Sequence, residues 1–183
     1  IMVFTEEGLK GEIETTLPIE KIAVSDQGIV SVVLKDENSP KIISYDATGN
    51  ILVEQKATVG TTGYPAALEL SDDGKVLAVS YLYTEGAVIK SRVIFYNFGE
   101  KGQGKADNIV TSDEYTDTVA AEIFFMGTDR SIVVGDNGFI IYKGKEEPVK
   151  EKEVKIDQEI QSVFHSDQYI GFVLLNRDKS GYE

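Results

Sequence analysis

The sequence predicts an all-β fold, a β-propeller of four-stranded antiparallel blades. Three observations predict it: a strand ending in an aromatic residue recurs at blade spacing, an acidic glycine turn recurs upstream of it, and the chain ends carry complementary halves of one unit. The recurring strand is Lys41-Ile42-Ile43-Ser44-Tyr45-Asp46, then Arg92-Val93-Ile94-Phe95-Tyr96-Asn97, then Gly138-Phe139-Ile140-Ile141-Tyr142-Lys143. Its tyrosines, at 45, 96 and 142, lie 51 and then 46 residues apart. A period of about 40 to 50 residues is that of a propeller blade. A two-sheet β-sandwich is the alternative fold.

The elements follow in order. At the N-terminus Ile1-Met2-Val3-Phe4-Thr5, with Gly8 beyond, repeats the tyrosine strand, and Phe4 takes the tyrosine position, so 1–18 reads as the outer strands of a blade. A blade over 19–60 opens with Ile22 and Val24 alternating with other residues, the period of a half-buried strand. Ser25-Asp26-Gln27-Gly28 then supplies a tight turn, and Ile29 to Val33 form a strand apolar on both faces. The blade over 64–112 repeats this with Leu68, Leu70, Ser71-Asp72-Asp73-Gly74 and Val76 to Val79. The blade over 118–157 runs through Ile123-Phe124-Phe125, a looser turn at Gly127-Thr128-Asp129, Ile132 to Val134 and an Asp136-Asn137-Gly138 hairpin. Its outer strand, Lys150 to Lys155, alternates charges, which discourages edge-to-edge aggregation. Over 159–183 come the inner strands of a last blade, Val163 to Asp167 and Ile170 to Leu175, with no third strand expected. Either the two half-units meet in a closed four-bladed ring or the chain is an arc of a larger propeller.

Composition narrows the function. Of 183 residues, 18 are Lys or Arg and 31 are Asp or Glu, and a net charge of −13 repels phosphate backbones, so no nucleic-acid partner is expected. The absence of cysteine removes disulfides and thiolate chemistry. No run reaches the roughly 20 apolar residues of a membrane-spanning helix.

Between 63 and 104 the pattern becomes more specific. Gly63-Tyr64-Pro65, Ser71-Asp72-Asp73-Gly74, Ser80-Tyr81-Leu82, Phe95-Tyr96-Asn97-Phe98-Gly99 and Gly102-Gln103, with Tyr115 to Val119, Gly135-Asp136-Asn137 and Tyr142-Lys143-Gly144, resemble an uncharacterised Firmicutes family of membrane-anchored propellers within the WD40-like and quinoprotein-like superfamily. The resemblance implies an N-terminal membrane anchor outside this sequence, a propeller longer than this chain, and display at the extracellular face of a Gram-positive membrane. A cytoplasmic location is the alternative. It carries no catalytic residue across.

Candidate chemistry is sparse. Gly99-Glu100-Lys101-Gly102-Gln103-Gly104-Lys105 has phosphate-loop spacing, but Ala106 stands where a Ser or Thr must hold magnesium, and the segment joins two strands, so a flexible loop is expected. Asp26, Asp72, Asp73, Asp136 and Asn137 offer oxygens to calcium, without the spacing of a calcium loop; turn chemistry is the main reading and no cofactor is expected. The only histidine, His165, aligns with Val24, Leu70 and Phe125 and is expected to be packed rather than catalytic. Tyr64, Tyr81, Tyr83 and Tyr115 lie near turns or strand ends, and Asp113, Glu114 and Asp117 cluster beside them, so these seven are the candidate surface for a protein, peptide or glycan, with blade packing and edge cover the other reading of the tyrosines. Self-association through open blade edges is a further expectation. The reading is a non-enzymatic binding or scaffold domain. A carboxylate-dependent hydrolase or lyase and a structural spacer are the alternatives.

Overall fold

The computed structural model describes residues 1–176 and 181–182. It is all-β apart from a short 3-10 turn at Ala106–Asn108. The first hairpin is β1 (Met2–Thr5) with β2 (Gly8–Glu12). Three four-stranded meanders follow. The first sheet is β3 (Ile19–Val24), β4 (Val30–Leu34), β5 (Lys41–Tyr45) and β6 (Ile51–Lys56). The second is β7 (Tyr64–Leu70), β8 (Val76–Glu85), β9 (Val88–Asn97) and β10 (Ile109–Tyr115). The third is β11 (Glu122–Met126), β12 (Arg130–Gly135), β13 (Gly138–Lys143) and β14 (Val149–Lys155). Last come β15 (Glu159–His165), β16 (Ile170–Asn176) and β17 (Gly181–Tyr182). Each sheet is antiparallel with its strands side by side in chain order.

The two turns that the repeat predicts are built alike. Gly28 and Gly74, at φ 78° and 68°, each donate a backbone N–H to the serine three residues earlier, at 2.9 and 2.7 Å. Each serine hydroxyl then accepts a backbone N–H at the entry to the following strand: Ser25 from Ile29, just before β4, at 3.1 Å, and Ser71 from Val76, the first residue of β8, at 3.0 Å. Positive φ is what glycine supplies without steric cost. The turns also touch, since Asp26 donates its N–H to the Asp72 carbonyl at 3.1 Å.

Second strands are covered on both faces. Every residue of β4 is buried, as are Val76 to Tyr81 of β8 and Ser131 to Gly135 of β12. A valine such as Val33, Val79 or Val133, removed from water, contributes about 1.5–3 kcal/mol. Sheet packs on sheet in chain order. Val3 and Ile13 join Val32, Ile43 and Tyr45; Ala23, Val33 and Ile42 meet Leu68, Val79 and Tyr96; Ala67, Val76 and Phe95 meet Ile123, Ile140 and Tyr142; and Phe124, Ile132 and Phe139 meet Val163 and Phe172. Tyr45, Tyr96 and Tyr142 therefore all face the preceding sheet. The fold is a propeller-like stack, not a two-sheet sandwich.

Three expectations need correction. Ile22 and Val24 share a face as their alternation implied, but that face is exposed and Ala23 is the buried residue of β3. Among the described residues, the unit preceding theirs consists of the β1–β2 hairpin, which packs on Val32, Ile43 and Tyr45 rather than on β3. His165 is exposed rather than packed, although its ring stacks on Phe124 at 3.8 Å between centroids. The last unit does have a third strand: Gly181–Tyr182 pairs with Asn176 and Leu175. Residues 177–180 and 183 of that unit lie outside the described residues.

Candidate functional site

The second sheet departs from its neighbours. Strands β8 and β9 have ten residues each, and their last three pairs, Tyr83 with Lys90, Thr84 with Ile89 and Glu85 with Val88, run beyond the partners that β7 and β10 offer. They form a two-stranded ribbon, closed by a Gly86-Ala87 turn and reaching about 10 Å past the sheet. Val88 and Ile89 are half exposed at its tip. A Lys90–Glu85 ion pair bridges the strands below.

Arg92 braces the ribbon's base. Its guanidinium donates to Glu114 Oε1 from Nε at 3.0 Å and from Nη2 at 2.5 Å, and Nη1 donates to the Thr61 carbonyl at 3.2 Å. The same group lies 5.1 Å from the centre of the Tyr83 ring. Arg92 hydrogen bonding and charge hold the Glu114 carboxyl below its usual range. One side chain thus ties together β8, β9, β10 and the β6–β7 loop.

Beneath this brace, between the first two sheets, lies a groove of about 570 Å3. That is within the size range of small-ligand pockets. Tyr81 and Tyr96 form its floor, their hydroxyls 2.7 Å apart. Burial pushes Tyr96 up to about 12 and Tyr81 further still. Gln55 closes one end by donating to the Asp107 carbonyl at 3.1 Å, while its own buried Oε1 has no hydrogen-bond partner.

The seven candidate residues do not form one surface. Strand β10 alternates, so Glu114 faces the first sheet with Tyr81 and Tyr83, while Asp113 and Tyr115 face the third. Tyr64 pairs with Leu82 and lies on the opposite face from Tyr81. Tyr81 and Tyr115 are buried, so of the two readings, binding surface and blade packing, the structure gives them the second: each lies near a strand end, yet each hydroxyl finds another tyrosine inside the stack. Tyr115 meets Tyr142 at 2.6 Å, and Tyr142 donates to Asp113 Oδ2 at 2.9 Å. Asp117 pairs with Lys155 at 3.0 Å, and that partner holds its carboxyl low.

Acidic turns serve the backbone. Asp136 accepts the Val119 N–H at 3.0 Å, Asn137 donates to the Asp117 carbonyl at 2.8 Å, and Asp73 accepts from Ser71 and Lys75 and pairs with Lys145. Among the described residues no group of three or more His, Asp or Glu side chains is arranged to hold a metal ion. The segment of phosphate-loop spacing leads into the 3-10 turn, with Asp107 at φ 52°, and opens no longer helix. On the inner wall Glu69 has its carboxyl raised by burial, and its Oε1 accepts the Leu70 N–H at 3.1 Å.

With the repeat, the turns and this second sheet defined, the comparison with known families is decisive: a single match runs from residue 1 to residue 183. The chain belongs to DUF5711, a family of unknown function. No curated protein matches this DUF5711 chain in sequence. Its fold is similar to that of Hsv2 from Kluyvelomyces marxianus, a propeller protein, with a TM-score of 0.53 at 12% identity over 78% of this chain and 50% of that one. Weaker likenesses are to a protein of unknown function from Bacteroides caccae, with a TM-score of 0.49 at 13% identity over 92% of this chain and 60% of that one, and to an uncharacterised protein from Listeria monocytogenes, at 0.48, 14%, 92% and 49%. The DUF5711 chain spans about half the length of Hsv2, and at 12% identity the likeness shows the fold alone.

The sequence reading missed Arg92 as an organiser and the ribbon as a feature. For the ribbon the signal was present: two ten-residue strand patterns meet at Glu85-Gly86-Ala87, where the neighbouring hairpins turn after five or six.

Proposed function

We propose that this DUF5711 chain is a non-enzymatic recognition domain that engages a protein or peptide through the β8–β9 ribbon. The observation that carries the reading is the ribbon itself, which exposes Val88 and Ile89 beyond both neighbouring strands on a base that Arg92 braces. Apolar side chains on a rigid projection are the kind of anchor that a partner's pocket takes up. The stack behind it is a scaffold rather than a reaction centre in this reading. Display at the outer face of a bacterial membrane belongs to the proposal as well, supported by the family resemblance of the repeat.

A photo-crosslinking residue at Val88, with another at Lys101 in the 98–108 loop as control, tests the proposal in envelope and host-surface extracts. Adducts formed from Val88 and not from Lys101, and lost in the Val88→Asp/Ile89→Asp variant, support it. Reproducible glycan or peptide turnover by the purified chain would overturn it, as would capture that the ribbon substitutions leave unchanged. A soluble glycan that competes the adducts away would move the ligand class from protein to sugar.

A further inference from the structure

The end of the groove that Gln55 closes carries three features that sheet packing does not call for. Asp107 and Asn108 are consecutive at φ 52° and 60°, and among the described residues no other non-glycine residue has positive φ. Such backbone is costly and gathers where ligands are held. Gln55 reaches across from β6 to pin this turn: its Nε2 donates to the Asp107 carbonyl at 3.1 Å, which fixes the other end of the amide as the oxygen. That Oε1 is buried and accepts from no donor, the second feature. The third is the Asp107 carboxylate, which has no hydrogen bond or ion pair among the described residues.

Neighbouring charges do not answer it. Arg92 holds Glu114, and Lys41 holds Glu54 at 3.2 Å. Lys56, exposed on β6, also lines the groove but makes no ion pair with Asp107. The closed end therefore keeps acceptors that lack donors and a negative charge that lacks a partner. From there to the brace the walls include Ile94, Ile109 and the two tyrosines of the floor. Tyr96 stands opposite Ile109 at one end and Arg92 opposite Glu114 at the other, a span of about 13 Å along β9. An acceptor-rich end behind apolar walls suits a cation carried on a hydrocarbon stem.

We propose that this groove binds a primary ammonium on a methylene stem, the chemistry of a lysine side chain or of a free diamine. The ammonium bonds to the Asp107 carboxylate and Gln55 Oε1, and the stem lies along Ile94 and Ile109. Its three protons can serve both acceptors at once. A bare metal ion would leave the apolar walls without a partner. Because Oε1 is covered, entry turns the Gln55 amide and opens its bond to the Asp107 carbonyl, so Gln55 is a latch on the site. The site is separate from the ribbon tip and does not depend on the ribbon's role.

The test is a nuclear magnetic resonance titration of the isotope-labelled 183-residue chain with four probes: Nα-acetyl-lysine methylamide, its Nε-acetylated form, the norleucine analogue that lacks the ammonium, and diaminopentane. Saturable shifts are expected at the Gln55 side-chain amide and the Asp107 backbone N–H with the lysine probe, the diamine or both. The tighter of the two identifies the source as a side chain or a free amine. The acetylated and norleucine probes should bind at least about tenfold more weakly, as should the lysine probe to Asp107→Asn, since the charge-assisted bond is gone. Asparagine tolerates the left-handed backbone as aspartate does, so the remaining resonances of that variant should stay in place. The Val88→Asp/Ile89→Asp variant should bind the probes as the parent does, which separates this site from the ribbon. Absence of saturable shifts with both amines overturns the inference. So does norleucine binding equal to lysine, an Asp107→Asn variant that binds unchanged, or the same saturable shifts from potassium chloride alone.

Discussion

Replacing Tyr142 by phenylalanine should damage the fold more than the same change at Tyr115, although both rings are buried and their hydroxyls touch. Tyr142 donates its proton to Asp113 Oδ2 at 2.9 Å, so the proton in the 2.6 Å contact between the hydroxyls belongs to Tyr115. Tyr142→Phe removes both links at once. It strands the Tyr115 donor in a site 5% exposed, at about 1–3 kcal/mol, and deletes a charge-assisted bond to a carboxylate that water partly replaces, for about 2–4 kcal/mol in all. Tyr115→Phe leaves the Asp113 bond in place and removes one neutral bond, at about 0.5–1.5 kcal/mol. Urea unfolding of the two variants and the double variant measures this. An unchanged m-value would confirm that the comparison concerns stability alone. The double variant should cost less than the sum of the singles. A loss at Tyr115→Phe equal to or larger than that at Tyr142→Phe would refute the direction of the chain and the reasoning built on it.

Alkaline stability follows from the same burial. Tyr96 and Tyr115 are pushed up to about 12 from the ordinary 10.0, so between those values the folded chain holds protons that the unfolded chain has lost. Stability should be fully present below pH ~10 and fall as pH rises toward ~12, and absorbance of ionised tyrosine should lag until unfolding; a urea midpoint flat across that window would contradict it. Gly74→Ala should cost about 1–3 kcal/mol in thermal or urea unfolding, because φ is 68° there and a Cβ would come within 2.5 Å of Ile29 Cγ1. Val88→Asp/Ile89→Asp should change stability by under about 0.5 kcal/mol, since the tip is solvated; a larger loss would show the ribbon packing on something.

The parts of the fold legible in the sequence are those whose cause is local or repeats. The Ser25 and Ser71 turns need glycine at positive φ, and the tyrosines at 45, 96 and 142 mark a face that meets its predecessor each time. Alternation in β3 showed which residues share a face. Whether that face is covered depends on a neighbouring sheet, which is why Ile22 and Val24 were read as half-buried. The candidate site was less legible. From their places near strand ends Tyr81 and Tyr115 could be surface or packed aromatics, and the choice is made by tyrosine partners 15 and 27 residues away in sequence. Asp113 and Glu114 are adjacent in sequence and serve different grooves because a strand sends successive side chains to opposite faces. Arg92 lay inside a strand motif, where nothing local distinguishes a brace from an ordinary solvent-facing residue.

The central claim is that the sheets pack in series, each touching only its neighbours. Methyl-to-methyl nuclear Overhauser contacts on an Ala, Ile, Leu and Val labelled chain test it most directly. Cross-peaks are expected between Ala23 or Val33 and Leu68 or Val79, and between Ala67 or Ala78 and Ile123 or Ile140, with none between Ala23 or Val33 and Ile123 or Ile140. Direct contacts between Ala23 or Val33 and Ile123 or Ile140, as two sheets folded face to face would give, would contradict the account.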